Sequence, residues 1–190
     1  GALTTWTDLI RADLPPLFDG LRAAANEVGG RQVQNRGTLA GNICTASPAG
    51  DGIPCLLALE AQVELASLRG VRRLSIEAFN IGYRRTAIGP DEIVTAILVP
   101  DRAGRGVFVK LGARRYLVIS IAMASAVIVE EAGLISHSRV AVGSCAPQAL
   151  RLTALEQRLI GRRVSEAAAL VMPGDALALS PIDDVRASGG

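Results

Sequence analysis

The sequence predicts an α+β protein in two parts. Residues 1–103 read as helices with mixed and antiparallel strands, and residues 104–190 as a three-stranded antiparallel sheet with helices on one face. Three observations carry this prediction. Apolar residues recur at helical spacing near the start, alternation takes over after residue 61, and three apolar or β-branched runs precede a second stretch of helical spacing. Strands followed by helices, without strict alternation of the two, argue for helices layered on a sheet.

Apolar spacing places helices at 9–14 and 17–28, separated by Pro15 and Pro16, which end one and begin the next. Gly29 and Gly30 close the second helix. A polar, glycine-containing loop is expected over 31–51. Pro54 then sits in the first turn of an apolar helix at 53–59, with Asp51 near its positive end. Alternation gives strands at 62–67 and 71–76, turning at Arg69-Gly70, and a third at 92–99 that stops at Pro100. The charged stretch 101–106, with two glycines, is the expected boundary between the parts. Beyond it come strands at 106–111, 122–130 and 139–144, with a turn at 131–133, then helical spacing at 150–160 and 164–171. The opening residues and the closing run from Ile182 through Arg186 to Gly190 read as the ends of a piece of a longer protein.

Composition excludes several function classes. Lys plus Arg total 20 against 18 Asp plus Glu, a net charge of +2, which supplies no basic surface for nucleic acid. The longest apolar stretch, 119–129, ends at Glu130 and Glu131, short of the roughly 20 residues that span a bilayer, so no membrane insertion is expected. The N-terminus lacks a basic region followed by an apolar run, which makes the cytoplasm the expected compartment. Cys44, Cys55 and Cys145 form no Cys-x-x-Cys pair and read as reduced, mostly buried thiols, with no metal or cluster site. His137, beside a Gly-containing turn and between serines, reads as a solvated loop residue.

Residues 35–42 offer a hydroxyl, two carboxamides and two glycines. Glycines let successive backbone N–H groups turn toward one concavity, a nest for phosphate. Thr38 and Asn42 are candidate side-chain donors, and Asp51 a candidate acceptor for a ribose diol. An ordinary surface loop capped by Asp51 fits the same residues. The spacing G-x-G-x-x-G is absent.

The run 32–51, QVQNRGTLAGNICTASPAGD, resembles a flavin-binding motif of the FAD-binding subunits and domains of molybdenum hydroxylases, the family of xanthine dehydrogenase and aerobic carbon monoxide dehydrogenase. Its pattern there is Q-I/V-R/K-N-x-G-T-I/L-G-G-N followed by A-S-P-x-x-D. This sequence departs at Gln34, in place of a basic residue, and at Ala40, in place of a glycine. The resemblance continues through GYRRT at 82–86, DEIV at 91–94 and FVKLGARR at 108–115, then along 122–161.

The resemblance implies FAD as cofactor. Thr38, Leu39, Ala40, Gly41 and Asn42 would hold its pyrophosphate and Asp51 would meet the nucleotide part. Val28 falls where the family places an apolar residue near the isoalloxazine ring, Val94 where backbone approaches the adenine end, and Lys110 where a lysine lies close to the flavin. On the residues alone, Val28 and Val94 read as core and Lys110 as a solvated lysine. Residues 1–103 would be the second part of the FAD-binding domain, without its first Gly-rich loop, and 104–190 the C-terminal domain without its last helix. A piece of that kind is expected to hold FAD weakly or not at all.

The implied partners are an iron–sulfur subunit and a molybdopterin subunit, with electrons passing from 2Fe–2S clusters through FAD to NAD, oxygen or another acceptor. Cofactor chemistry of this kind leaves the protein to bind, orient and tune. Two alternatives accompany this reading. One is another flavoenzyme of the same FAD-binding superfamily. The other, suggested by Ala40, is an assembly module whose flavin site is degenerate.

Overall fold

The computed structural model describes residues 1–183 and 187–188. The expected run from Ile182 to Gly190 therefore lies largely outside the described residues. The expected α+β architecture is present. Helix α1 (Trp6–Arg11) begins earlier than its apolar spacing indicates, because Thr5 and Asp8 form a capping box. It ends before the prolines, and a 3-10 turn (Pro16–Phe18) leads into α2 (Asp19–Glu27), which buries Gly20, Leu21, Ala24 and Ala25.

The stretch 31–51 is the main departure from expectation. It holds two short helices, α3 (Arg31–Arg36) and α4 (Leu39–Thr45), where a loop was expected. Thr38 caps α4, its Oγ1 accepting from the Gly41 N–H at 2.9 Å, and Leu39, Ala40 and Ile43 turn inward as one buried face. That burial outweighs the turn preference of the surrounding glycines and polar residues. Helix α5 (Gly52–Ala58) follows and is buried along its whole length.

Strands β1 (Gln62–Ser67) and β2 (Gly70–Ser75) form a hairpin, followed by α6 (Ile76–Phe79), a small β3 (Asn80–Gly82) and β4 (Arg85–Thr86) pair, and β5 (Ile93–Leu98). Strand β5 joins β1, giving an antiparallel sheet in the order β2-β1-β5. The second sheet contains the three expected strands, β6 (Arg105–Leu111), β7 (Ala122–Glu131) and β8 (Leu134–Gly143), and a two-residue fourth, β9 (Leu150–Arg151). Its order is β6-β7-β8-β9. Strand β8 starts at Leu134, ahead of the expected 139, because Ala132 and Gly133 both take positive φ (50° and 79°) and close a tight hairpin. His137 therefore lies within β8, half-buried, and is no solvated loop residue. Helix α7 (Thr153–Leu159) follows β9, and the helical spacing after it folds as a 3-10 stretch (Val164–Leu170).

One core runs through both parts of the chain. Trp6, Leu21, Ile43, Leu56, Val63 and Phe79 pack with Val127 and Ala141 of the second sheet. Helices α2 and α5 thus cover one face of that sheet, while α7 packs Leu155 and Leu159 with Ile135 and Val140 on the other. The approach of α2 to β6 is close. A Cβ built on Gly20 would lie 2.7 Å from the Val107 carbonyl oxygen. Cys55 is buried in this core, and burial pushes its thiol up to about 12, whereas Cys44 is exposed, contrary to the expectation of mostly buried thiols. No helix among the described residues is long and apolar enough to cross a membrane.

A charged cluster ties the end of α5 to the second sheet. Glu60 accepts from Arg139 and forms an ion pair with Arg102, each at 2.7 Å, and lies 3.1 Å from His137 Nε2. Burial pushes the Glu60 carboxyl up, but Arg139, Arg102 and His137 together hold it below its ordinary value of 4.5. Burial, then Arg139 and Arg102, hold His137 below 6.5. In both groups the unfolded chain binds protons more readily than the folded one. Their contribution is present above those unfolded values and is lost as pH falls through the depressed folded ones. Urea midpoints are expected to fall in acid in two stages, the upper beginning near 6.5. His137→Gln should lack the upper stage; its persistence there would assign that stage to another group.

Candidate functional site

The candidate site draws on several segments of the chain. The first is the N-terminal turn of α4. Residues 37–42 contain no positive φ, so this segment is no nest of alternating conformations; its N–H groups are those of a helix start. Three are already committed within the chain: Leu39 N–H to the Thr4 carbonyl at 3.1 Å, Gly41 N–H to Thr38 Oγ1, and Asn42 N–H to the Thr38 carbonyl at 3.1 Å. The five residues divide by direction. Leu39 and Ala40 point into the core, whereas Gly41 is exposed and Thr38 and Asn42 are half-buried. Ala40 takes the helical conformation with its methyl group inward, so its replacement of the family's glycine alters no exposed surface.

The second segment is the turn at 50–52. A Cβ on Gly50 or Gly52 would lie 3.3 or 3.0 Å from Asn42 Oδ1, which is buried and accepts no hydrogen bond. Between these glycines Asp51 turns its carboxylate inward. Its Oδ2 accepts from the Lys110 ammonium at 2.7 Å and its Oδ1 from the Ser120 hydroxyl at 2.6 Å. The Asp51 and Lys110 side chains are each 7% exposed, so Lys110 is no solvated lysine.

Lys110, in β6, also lines a cavity of about 490 Å³ between α2, β6 and the segment that follows it, with Ala23, Glu27, Phe108, Arg114 and Arg115. Residues 38–42 do not line this cavity; the 50–52 turn connects the two. Val28, at the C-terminal cap of α2, and Val94, paired with Leu65 across β5 and β1, both pack against the main core. Helix α4 packs on β5, the strand that carries Val94.

Ser120 is the functional side chain that sequence reasoning passed over. It lies in an apolar run with no local pattern to mark it, and only the fold places it on Asp51. Asn80 is a second. Its Nδ2 donates to the Ile43 carbonyl at 2.9 Å and secures the last turn of α4 from the β3 side.

These residues fit FAD. The exposed Gly41 lets a ligand approach the helix start beside the Thr38 hydroxyl, and half-buried Asn42 brings a carboxamide, whose Nδ2 can donate, to the same place. Such donors suit a pyrophosphate, and the Lys110 cation suits a ring that takes on negative charge when it accepts electrons.

Comparison with known proteins gives two family matches and a series of relatives. Residues 1–102 match the family described as FAD binding domain in molybdopterin dehydrogenase, and residues 108–190 the CO dehydrogenase flavoprotein C-terminal domain. The nicotinate dehydrogenase FAD-subunit of Eubacterium barkeri is 36% identical over 172 residues, 85% of this chain and 57% of that protein. The carbon monoxide dehydrogenase medium chain of Hydrogenophaga pseudoflava is 31% identical over 193 residues, 98% of this chain and 66% of that one. A solved structure of the Hydrogenophaga pseudoflava carbon monoxide dehydrogenase superposes with a TM-score of 0.86 at 30% identity, covering 100% of this chain and 67% of that chain. The chain thus spans 57% and 66% of the lengths of these two curated relatives. On these matches, the chain belongs to the family of FAD binding domains in molybdopterin dehydrogenases.

Proposed function

We propose that this chain is the FAD-binding, electron-transferring portion of a molybdenum hydroxylase, receiving electrons from 2Fe–2S clusters of a partner subunit and delivering them to NAD or another acceptor. An iron–sulfur subunit and a molybdopterin subunit are its proposed partners, the cytoplasm its compartment, and residues 103 and 104 the join between its two domains. The observation that carries the reading is the buried Lys110–Asp51 pair at a cavity, linked through the 50–52 turn to a helix start that carries the Thr38 hydroxyl, the exposed Gly41 and the Asn42 carboxamide.

FAD, when bound, supplies the electron exchange. The protein's part is to bind and to tune. In this reading the Thr38 hydroxyl and the Asn42 Nδ2 donate to the pyrophosphate and the exposed Gly41 lets it come close to the helix start, while Leu39 and Ala40 anchor that turn in the core. Val28 and Val94 supply apolar walls toward the ring and the adenine, and Lys110 presents a fixed positive charge to the ring. The Ala40 methyl lies in the core, so it offers no support for a degenerate flavin site.

Asn42→Ala tests the assignment. It removes a carboxamide whose Nδ2 would donate to a phosphate oxygen, so FAD affinity of the holoprotein should fall about tenfold, at the scale of a lost hydrogen bond in a partly buried site. Thermal stability of the flavin-free protein should barely change. FAD affinity equal to the parent's would place the pyrophosphate elsewhere. Copurification of iron–sulfur and molybdopterin subunits, with reduction of the flavin by their substrate, tests the electron path.

A further inference from the structure

Lys110 is the only lysine in the chain; apart from His137, every other basic side chain is an arginine. Arginine makes the chain's salt bridges at its surface, among them Arg22–Asp19, Arg69–Asp91 and Arg73–Glu64. A lysine appears only where the cation is buried, faces one carboxylate and lines a cavity. The two side chains differ physically. A guanidinium is a planar fork that needs room for parallel hydrogen bonds, whereas an ammonium is a compact charge with three donors that can serve one acceptor and keep others for a ligand.

Asp51 is equally committed. Its carboxylate is buried and shared between the Lys110 ammonium and the Ser120 hydroxyl, and the residue is only 6% exposed, leaving little surface for a ribose diol. Lys110 and Ser120 flank the segment 111–119, so the carboxylate also ties together the two ends of that cavity-lining stretch.

We propose that Asp51 is a positioning residue acting through Lys110: held by Ser120, its carboxylate fixes the Lys110 ammonium at the cavity and offsets part of its charge. The flavin reading above is needed only to name what the cavity holds. Asp51 then sets where the positive charge stands and how strongly a bound ring feels it, and makes no contact of its own with the nucleotide.

The single lysine makes the test direct. The flavin-free protein is treated with acetic anhydride, and acetylation of Lys110 is followed by peptide mass spectrometry. Asp51→Asn and Ser120→Ala should each accelerate it by about fivefold or more, the scale of one lost hydrogen bond. Ser120→Ala leaves both charges in place and serves if Asp51→Asn folds poorly. Rates equal to the parent's in the folded variants would overturn the proposal.

In the FAD-loaded protein, Asp51→Asn should raise the flavin midpoint potential, because a negative charge is removed beside the cation, with FAD affinity changed less than about threefold. A loss of affinity beyond about tenfold at an unchanged potential would make Asp51 a direct nucleotide ligand and overturn the proposal. Should the parent take up no FAD, the potential has no readout, and the acetylation rates alone decide the positioning role.

Discussion

Asp51→Ala is expected to lower the unfolding free energy by about 3–5 kcal/mol, the cost of breaking a buried ion pair from one side. The reason lies in what is left behind. The Lys110 ammonium, 7% exposed, loses its carboxylate partner, and the Ser120 hydroxyl loses the carboxylate oxygen 2.6 Å away. A buried unpaired cation must admit water or give up its proton, and both are costly. Removing both charges relieves this, so Asp51→Ala with Lys110→Met should recover a large part of the loss. Arg69–Asp91 provides the contrast. Its side chains are 72% and 43% exposed, and Asp91→Ala should cost under about 1 kcal/mol. Urea denaturation measures all three variants. A loss below about 1 kcal/mol for Asp51→Ala would mean that solvent reaches the pair.

Gly106→Ala should destabilise the protein by about 3 kcal/mol, at the upper end for overpacking, because no side-chain rotation relieves the clash. The added Cβ would lie 2.4 Å from the Leu17 carbonyl oxygen and 3.1 Å from the Gly20 nitrogen. These are backbone atoms. Relief would require α2 and the 3-10 turn before it to retreat from β6, opening the core that joins the two parts of the chain. Since α2 also forms one wall of the cavity at Lys110, the variant should lose flavin as well as stability. Gly174→Ala, at a site with nothing within 4 Å, is the control and should change stability by less than about 0.5 kcal/mol. A Gly106→Ala protein as stable as that control would show that α2 can move freely over the sheet.

Local order was legible where one periodicity dominated. Helix α5 and strands β1, β2 and β5 stand within a residue or two of their expected places, because continuous apolar character or alternation reports burial directly. Residues 31–51 were misread for a related reason. Glycine, asparagine and threonine signal turns, and the short buried face of Leu39, Ala40 and Ile43 is too brief to show a period. The position of His137 was hidden by the tight hairpin at Ala132-Gly133, which leaves β8 room to begin at Leu134.

By itself the sequence determined the α+β class, the order of most elements and, through the run at 32–51, the family. It also placed Thr38 to Asn42, Asp51 and Lys110 among the candidate residues. Only the tertiary structure decided what those residues do to one another. It turned Ala40 inward, left Asn42 Oδ1 without a partner, and closed Asp51 onto Lys110 and Ser120, which lie 59 and 69 residues further along the chain. Periodicity and turn chemistry act over a few residues. A carboxylate shared across such separations depends on how α5 and β6 pack in one core, and no local pattern encodes it.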